Sequence, residues 1–203
     1  MAVQPRKRVR RTVEVSRQAI LETAERYLIQ EGPQGVKVQK VARDLGLTDA
    51  AIHHHFGNRE GLLEALLRFS GRRFMDELVQ ATEGCDPLSF DLATATRLLS
   101  DLYDQRGAAR LAMWLVLSGW SPPGDGMLRP LSDRFHASRT VRAEQLGLPV
   151  ANLEDSQKLI ALLSAVVFTQ ALFGDALMRS VGLSAVSPKD YLSWVTTLLD
   201  HPT

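Results

Sequence analysis

The sequence predicts an all-α protein, and three observations predict it. Apolar residues recur at three- and four-residue spacing along almost the whole chain. No stretch alternates apolar and polar residues between hairpin-type turns. Glycine, proline and short polar residues punctuate the periodic runs where helices would stop and start.

Ser16 is placed to cap a first helix whose stripe is Ile20, Leu21, Ala24, Tyr27 and Leu28, with Gly32 and Pro33 ending it. A second, shorter helix fits Val38 to Leu45 and stops at Gly46. Thr48 caps a third through His55, with Asp49 in the first turn, where the helix dipole favours a negative charge. Gly57 breaks that helix, and Asn58 caps a fourth that runs from Arg59 to about Val79. Thr82 to Pro87 reads as a break. Helices are then expected over about 88–105, 107–119, 127–146, 152–181 and 187–200, with Ser121-Pro122-Pro123-Gly124-Asp125-Gly126 as the clearest loop.

Charge is distributed unevenly along the 203 residues, although the whole chain carries a net charge of only +1. Residues 1–75 hold 14 Lys/Arg against 8 Asp/Glu, and the remainder 10 against 15. A surface for a polyanion therefore belongs at the N-terminal end. With 45% hydrophobic residues the chain can fill a core. The lone Cys85 has no disulfide partner and no metal-ligand spacing, which suits a reducing compartment and a cytoplasmic protein. No secretory signal follows the basic start. The longest apolar run, Leu159 to Gly174, is shorter than the roughly 20 residues that span a bilayer, so it is expected to be a buried helix with no membrane role.

Two short helices joined by Gly46-Leu47-Thr48, with Val41, Ala42, Leu45, Leu47 and Ile52 between them, have the form of a helix-turn-helix. Ala42 is small where the helices would cross. Such packing presents the second helix so that its N-terminal residues can meet base edges in a major groove. Arg6, Lys7, Arg8, Arg10 and Arg11 form a separate basic arm suited to phosphate or a narrow minor groove.

The stretch from Ser16 to Leu67 resembles the DNA-binding domain of the TetR family, most recognisably from Leu47 through His55-Phe56, Arg59 and the Leu62-Leu63 pair. The resemblance implies a dimeric, effector-responsive regulator, more often a repressor, released from a palindromic operator. It implies that Thr48, Asp49, Ala50, Ala51, His53 and His54 face DNA, with Thr48 on a phosphate and Ala50, Ala51 and His54 nearest the bases. Arg59 and, less strongly, Lys40 fit phosphate contacts. His55 and Phe56 are expected to pack inside the domain. Two positions depart from the family pattern: His53 stands where tyrosine is usual, and Lys37 where Ser or Thr commonly caps the second helix.

The expected organisation is thus a basic arm over 1–15, a helix-turn-helix domain with connecting helix over 16–80, and a helical effector-binding and dimerisation domain over 81–203. Within the last, residues 159–178 are apolar on nearly every side, so this helix needs partners on two faces. Pairing of the last two helices with those of a second copy supplies one, as the resemblance implies. Met113, Trp114, Leu117, Trp120, Phe135, Phe168 and Phe173 are candidates to line a pocket for an apolar or aromatic effector, with Arg110, His136 or Gln170 orienting it.

No cofactor and no metal site are expected. Consecutive helical residues point about 100° apart, so His53, His54 and His55 cannot converge on one ion. No phosphate loop, zinc-binding His pair or nucleophile elbow supports an enzyme. A helical protein-interaction adaptor or a small helical enzyme are the alternatives, and the adaptor leaves the basic arm and the helix-turn-helix without a purpose.

Overall fold

The computed structural model describes residues 13–124 and 126–200, with side chains described from Arg17 onward. Nine α-helices account for most of the described residues, and none forms a strand. They are α1 (Val13–Glu31), α2 (Val38–Leu45), α3 (Asp49–Phe56), α4 (Arg59–Thr82), α5 (Leu92–Ser100), α6 (Ala108–Leu117), α7 (Arg129–Leu146), α8 (Leu153–Ser180) and α9 (Pro188–Asp200). Internal packing divides the chain into two compact units whose border falls between Leu66 and Leu67, inside α4. The border drawn from sequence lay near residue 80.

The smaller unit contains α1 to α3 and the first turns of α4. Helix α2 packs on α1 and α3, and Ile20, Leu21, Ala24 and Leu28 of α1, Val38, Val41 and Ala42 of α2, Ile52 of α3 and Leu62, Leu63 and Leu66 of α4 are all buried. The expected stripe on α1 is the buried one. The helix begins at Val13, however, so Ser16 lies within it and is not its N-cap.

The larger unit holds the rest of α4 and α5 to α9, built around Phe74, Phe90, Leu99, Leu102, Phe135, Ile160, Leu163 and Val167. Helix α8 packs on α5, α6, α7 and α9. It is long and apolar enough to cross a membrane by length and composition, but here it is the central packing element of the unit. Two buried hydroxyl pairs fix helix positions: Thr96 and Thr196 lie 2.8 Å apart between α5 and α9, and Tyr103 and Ser164 lie 2.6 Å apart. Burial pushes the Tyr103 phenol above its ordinary range, with the Ser164 hydroxyl opposing the shift, so the tyrosine stays a neutral group at physiological pH.

The helix expected over 88–105 is three elements. Asp86 and Pro87 make a short 3₁₀ turn over Pro87–Ser89, and Asp91 then caps α5 through Thr94 N at 2.8 Å. Beyond Ser100 the chain widens into a π turn, Asp101–Gln105, closed by Arg106 N donating to Asp101 O at 2.9 Å. Asp and Phe-Asp punctuation at 86–91 outweighs the apolar period because side-chain carboxylates satisfy backbone N–H groups that a continuous helix would use.

Candidate nucleic-acid interface

Helix α2 ends in a Schellman-type turn: Leu47 N donates to Ala42 O at 2.9 Å, and Gly46 sits at φ 63°, a left-handed conformation that glycine takes without strain. Two residues on from Gly46, Thr48 is extended and its Oγ1 accepts from Ala51 N at 3.2 Å, which starts α3. The tight turn and the cap fix the angle between the two helices. Ile52 is the side chain that α3 buries completely.

The opposite face of α3 is open. Thr48, Ala50, His53 and His54 are exposed, and Asp49 and Ala51 are half-buried. Their small or short side chains let another surface approach the N-terminal turn closely. His53 lies with Nδ1 3.0 Å from Gly57 O, which ties its ring to the end of its own helix. His55 and Phe56 are half-buried rather than fully enclosed, and their rings tilt against each other at 6.0 Å.

Arg17 of α1 holds that end from behind. Its guanidinium donates to His55 O at 3.0 Å and stands 4.6 Å over the Phe56 ring. Arg59, at the first turn of α4, donates from Nε to Val36 O at 2.9 Å and from a terminal nitrogen to Pro33 O at 2.6 Å. It therefore braces the α1–α2 connection. Lys40 lies between both carboxylate oxygens of Glu31, at 2.6 and 2.8 Å, and 5.1 Å above the Tyr27 ring. The exposed Asn58 side chain caps α4 through Gly61 N at 2.7 Å. Arg6, Lys7, Arg8, Arg10 and Arg11 lie outside the described residues.

Sequence reasoning did not single out Arg17. The only signal for it was a basic residue one position after the expected start of α1, with an aromatic residue at the end of α3 to receive it.

The residues expected to line an effector pocket stand in different surroundings. Met113 and Trp114 are half-buried on α6, Leu117 at its end is 80% exposed, and Trp120 is half-buried in the following turn. Phe135 is core at 3% exposure. Phe168 packs edge-on against Tyr103 at 5.3 Å, and Phe173 is exposed. Of the polar candidates, Arg110 is exposed and His136 faces the buried Ser156 hydroxyl at 3.1 Å. Gln170 and Phe173 do share a cleft, whose other lining residues lie outside the expected set.

A capped, outward-facing α3 carried by a small apolar domain, with a larger helical unit following it, defines a helix-turn-helix regulator. The sequence model of bacterial regulatory proteins of the tetR family matches residues 20–66, which are this domain. Among curated relatives, an HTH-type transcriptional regulator of Mycobacterium tuberculosis is 26% identical over 141 residues, 68% of this chain and 66% of the relative. The HTH-type regulator BetI of Rhizobium meliloti is 30% identical over 102 residues, half of each chain. The repressor AcnR of Corynebacterium glutamicum is 36% identical over 83 residues, 37% of this chain and 44% of AcnR. These alignments span no more than two thirds of the relatives' lengths. The fold reaches further: a transcriptional regulator of Saccharomonospora viridis in complex with choline superposes with TM-score 0.59 at 20% identity, covering 93% of this chain and 97% of that one. Bacillus subtilis FadR, in complex with stearoyl-CoA, does so with TM-score 0.58 at 16% identity, covering 90% and 96%. Residues 20–66 thus carry a DNA-binding domain of the TetR type, and the chain is similar to curated HTH-type transcriptional regulators.

Proposed function

We propose that this protein is a homodimeric repressor that binds a palindromic operator through α3 and releases it when a small molecule occupies the larger unit. The observation that carries the DNA reading is the open N-terminal face of α3, with Thr48, Ala50, Ala51 and His54 presented while Ile52 anchors the helix from behind. Asp49, His53 and the arm residues Arg6 to Arg11 complete the proposed contact set, with the arm on phosphate or in the minor groove. Arg59 and Lys40 enter it with their cationic groups already held by carbonyls and by Glu31, so their contribution is to position the domain as much as to touch phosphate.

Dimerisation is supported by what α8 and α9 leave uncovered. Leu162, Phe173 and Leu177 of α8 are exposed, as are Leu198 and Trp194 of α9, the last at 59%. An apolar face of this kind on two adjacent helices is what a self-complementary two-fold interface buries. A dimer would present two α3 helices to half-sites about 34–36 Å apart, or to a wider spacing that the geometry allows. Support for an effector comes from the same fold holding choline in one protein and stearoyl-CoA in another. A cytoplasmic location follows from the proposed work on DNA.

An electrophoretic mobility shift with duplex from upstream of the protein's own gene tests the reading. Retardation that Ala50→Glu abolishes is expected; indifference to every duplex at low ionic strength overturns it. Sedimentation of Trp194→Glu tests the dimer, with a shift to monomer expected.

A further inference from the structure

The larger unit contains a cleft of about 1070 Å³ between α5, the π turn, α8 and α9. Ala93, Leu98, Val167 and Ala171 give it apolar walls. One group in those walls has no partner within the fold. Gln170 is only 9% exposed, yet its amide Nε2 is buried without a hydrogen bond. Arg134 Nε is the other such side-chain atom among the described residues, and Arg134 does not line the cleft. Burying an amide donor unpaired is costly, and a native fold retains one where something outside the chain completes it.

The neighbouring residue clears the space. Gly174 lies one turn after Gln170, and a Cβ there would collide with the amide. Glycine at this turn leaves room for the amide to lie along the helix surface. Charged groups of both signs surround the cleft in equal number. Arg97, Arg179 and Lys189 stand on its walls together with Asp101, Asp104 and Asp175. Of the carboxylates, Asp101 already accepts from Arg106 Nε at 2.8 Å.

We propose that this cleft is the effector site, and that the effector has an apolar body and a carbonyl or carboxylate oxygen that accepts from Gln170 Nε2. The proposal rests on the reading of the chain as an effector-responsive regulator. It also names the element that senses occupancy. Asp101 lines the cleft and belongs to the π turn, and Arg106 ties that turn to Glu77 of α4 at 2.7 Å while standing 5.4 Å over Phe74 of the same helix. A ligand that displaces the turn therefore changes the restraint on α4. π turns inside helices recur at functional sites because their surplus residue is easily shifted.

Titration calorimetry of the full chain with decanoate, decanamide and decylammonium tests the site. The two oxygen-bearing molecules are expected to bind, and decylammonium to bind at least about tenfold more weakly, the size of one lost hydrogen bond to a buried donor. Gln170→Met is expected to weaken decanoate by a similar factor, and Ala93→Trp, which fills the cleft from α5, to abolish binding. Equal affinity for decanoate and decanamide assigns a neutral carbonyl; a preference for decanoate that Arg97→Met removes assigns a carboxylate. Equal binding of all three molecules, no binding of either oxygen-bearing one, or full affinity in both Gln170→Met and Ala93→Trp overturns the site. Hydrogen exchange along residues 67–82 tests the link to α4: decanoate alters it in the unchanged protein and not in Glu77→Gln, and no response in the unchanged protein overturns the link. Mobility shifts on the same preparation separate the two readings. DNA binding without decanoate binding removes the cleft and leaves the regulator, and decanoate binding without DNA binding does the reverse.

Discussion

The two units of this molecule differ in how completely their polar groups are answered. In the smaller one, guanidinium groups are set on backbone carbonyls, Arg17 on His55 O and Arg59 on Val36 O and Pro33 O, and side-chain caps begin α3 and α4. The larger unit leaves an amide donor unanswered inside a cleft and an apolar face open on α8 and α9. A domain that must present one helix at a fixed angle is internally satisfied. A domain that must respond to other molecules keeps unsatisfied groups for them.

The largest test of the satisfied side is Ile52→Ala, because Ile52 is the fully buried anchor of α3. A large-to-small change at such a site costs about 2–5 kcal/mol. Thermal unfolding of the variant should show a destabilised N-terminal unit, with retardation of DNA lost before the body melts.

Next comes Arg59→Met, which leaves the carbonyls of Pro33 and Val36 without their charged donor. A loss of about 1.5–3 kcal/mol is expected in chemical denaturation. Lysine should not restore it, since a single ammonium cannot reproduce the two-pronged geometry. Weakened DNA binding with unchanged stability would instead make Arg59 chiefly a phosphate contact.

Thr48→Ala removes the α3 cap and should cost about 1 kcal/mol, while Thr48→Ser retains it. The smallest effect is an acid one, in the larger unit. The hydrogen bond from Arg106 holds the Glu77 carboxyl below the ordinary glutamate range, against some burial and with help from Arg73. Its folded value is depressed, so the contribution is present at neutral pH and is lost as pH falls through that value. Stability of Glu77→Gln should accordingly decline less steeply in acid than that of the unchanged protein; identical acid limbs would assign the decline to other carboxylates. Glu77 is partly exposed, so solvent screening keeps the difference small.

The division between the units also explains what could be read in advance. Thr48, Gly46, Asn58 and the apolar stripe of α1 act locally, through backbone groups a few residues away, and local chemistry leaves a sequence signature. The ends of α2 and the starts of α3 and α4 were legible for that reason. The start of α1 was not, because a plausible cap at Ser16 can equally sit inside a helix. In the body the large apolar residues stand out as candidate ligand contacts, yet Phe135 fills the core and Leu117 faces solvent. Ala93, Arg97 and Asp101 follow one another at four-residue spacing on the cleft wall, but no spacing along the chain connects them to Gln170 or Lys189. The one local sign was glycine four residues after a glutamine on an apolar helix.

The π turn has a consequence for how the chain tolerates change. It takes one residue more than a regular helical turn would use, so Arg106 is set about 100° around the axis from its α-helical position. Deleting a single residue between Leu102 and Gln105 would straighten the segment, turn Arg106 away from Glu77 and withdraw Asp101 from its partner. An insertion or deletion here is a change of register, and it would uncouple the cleft wall from α4 without removing one charged group.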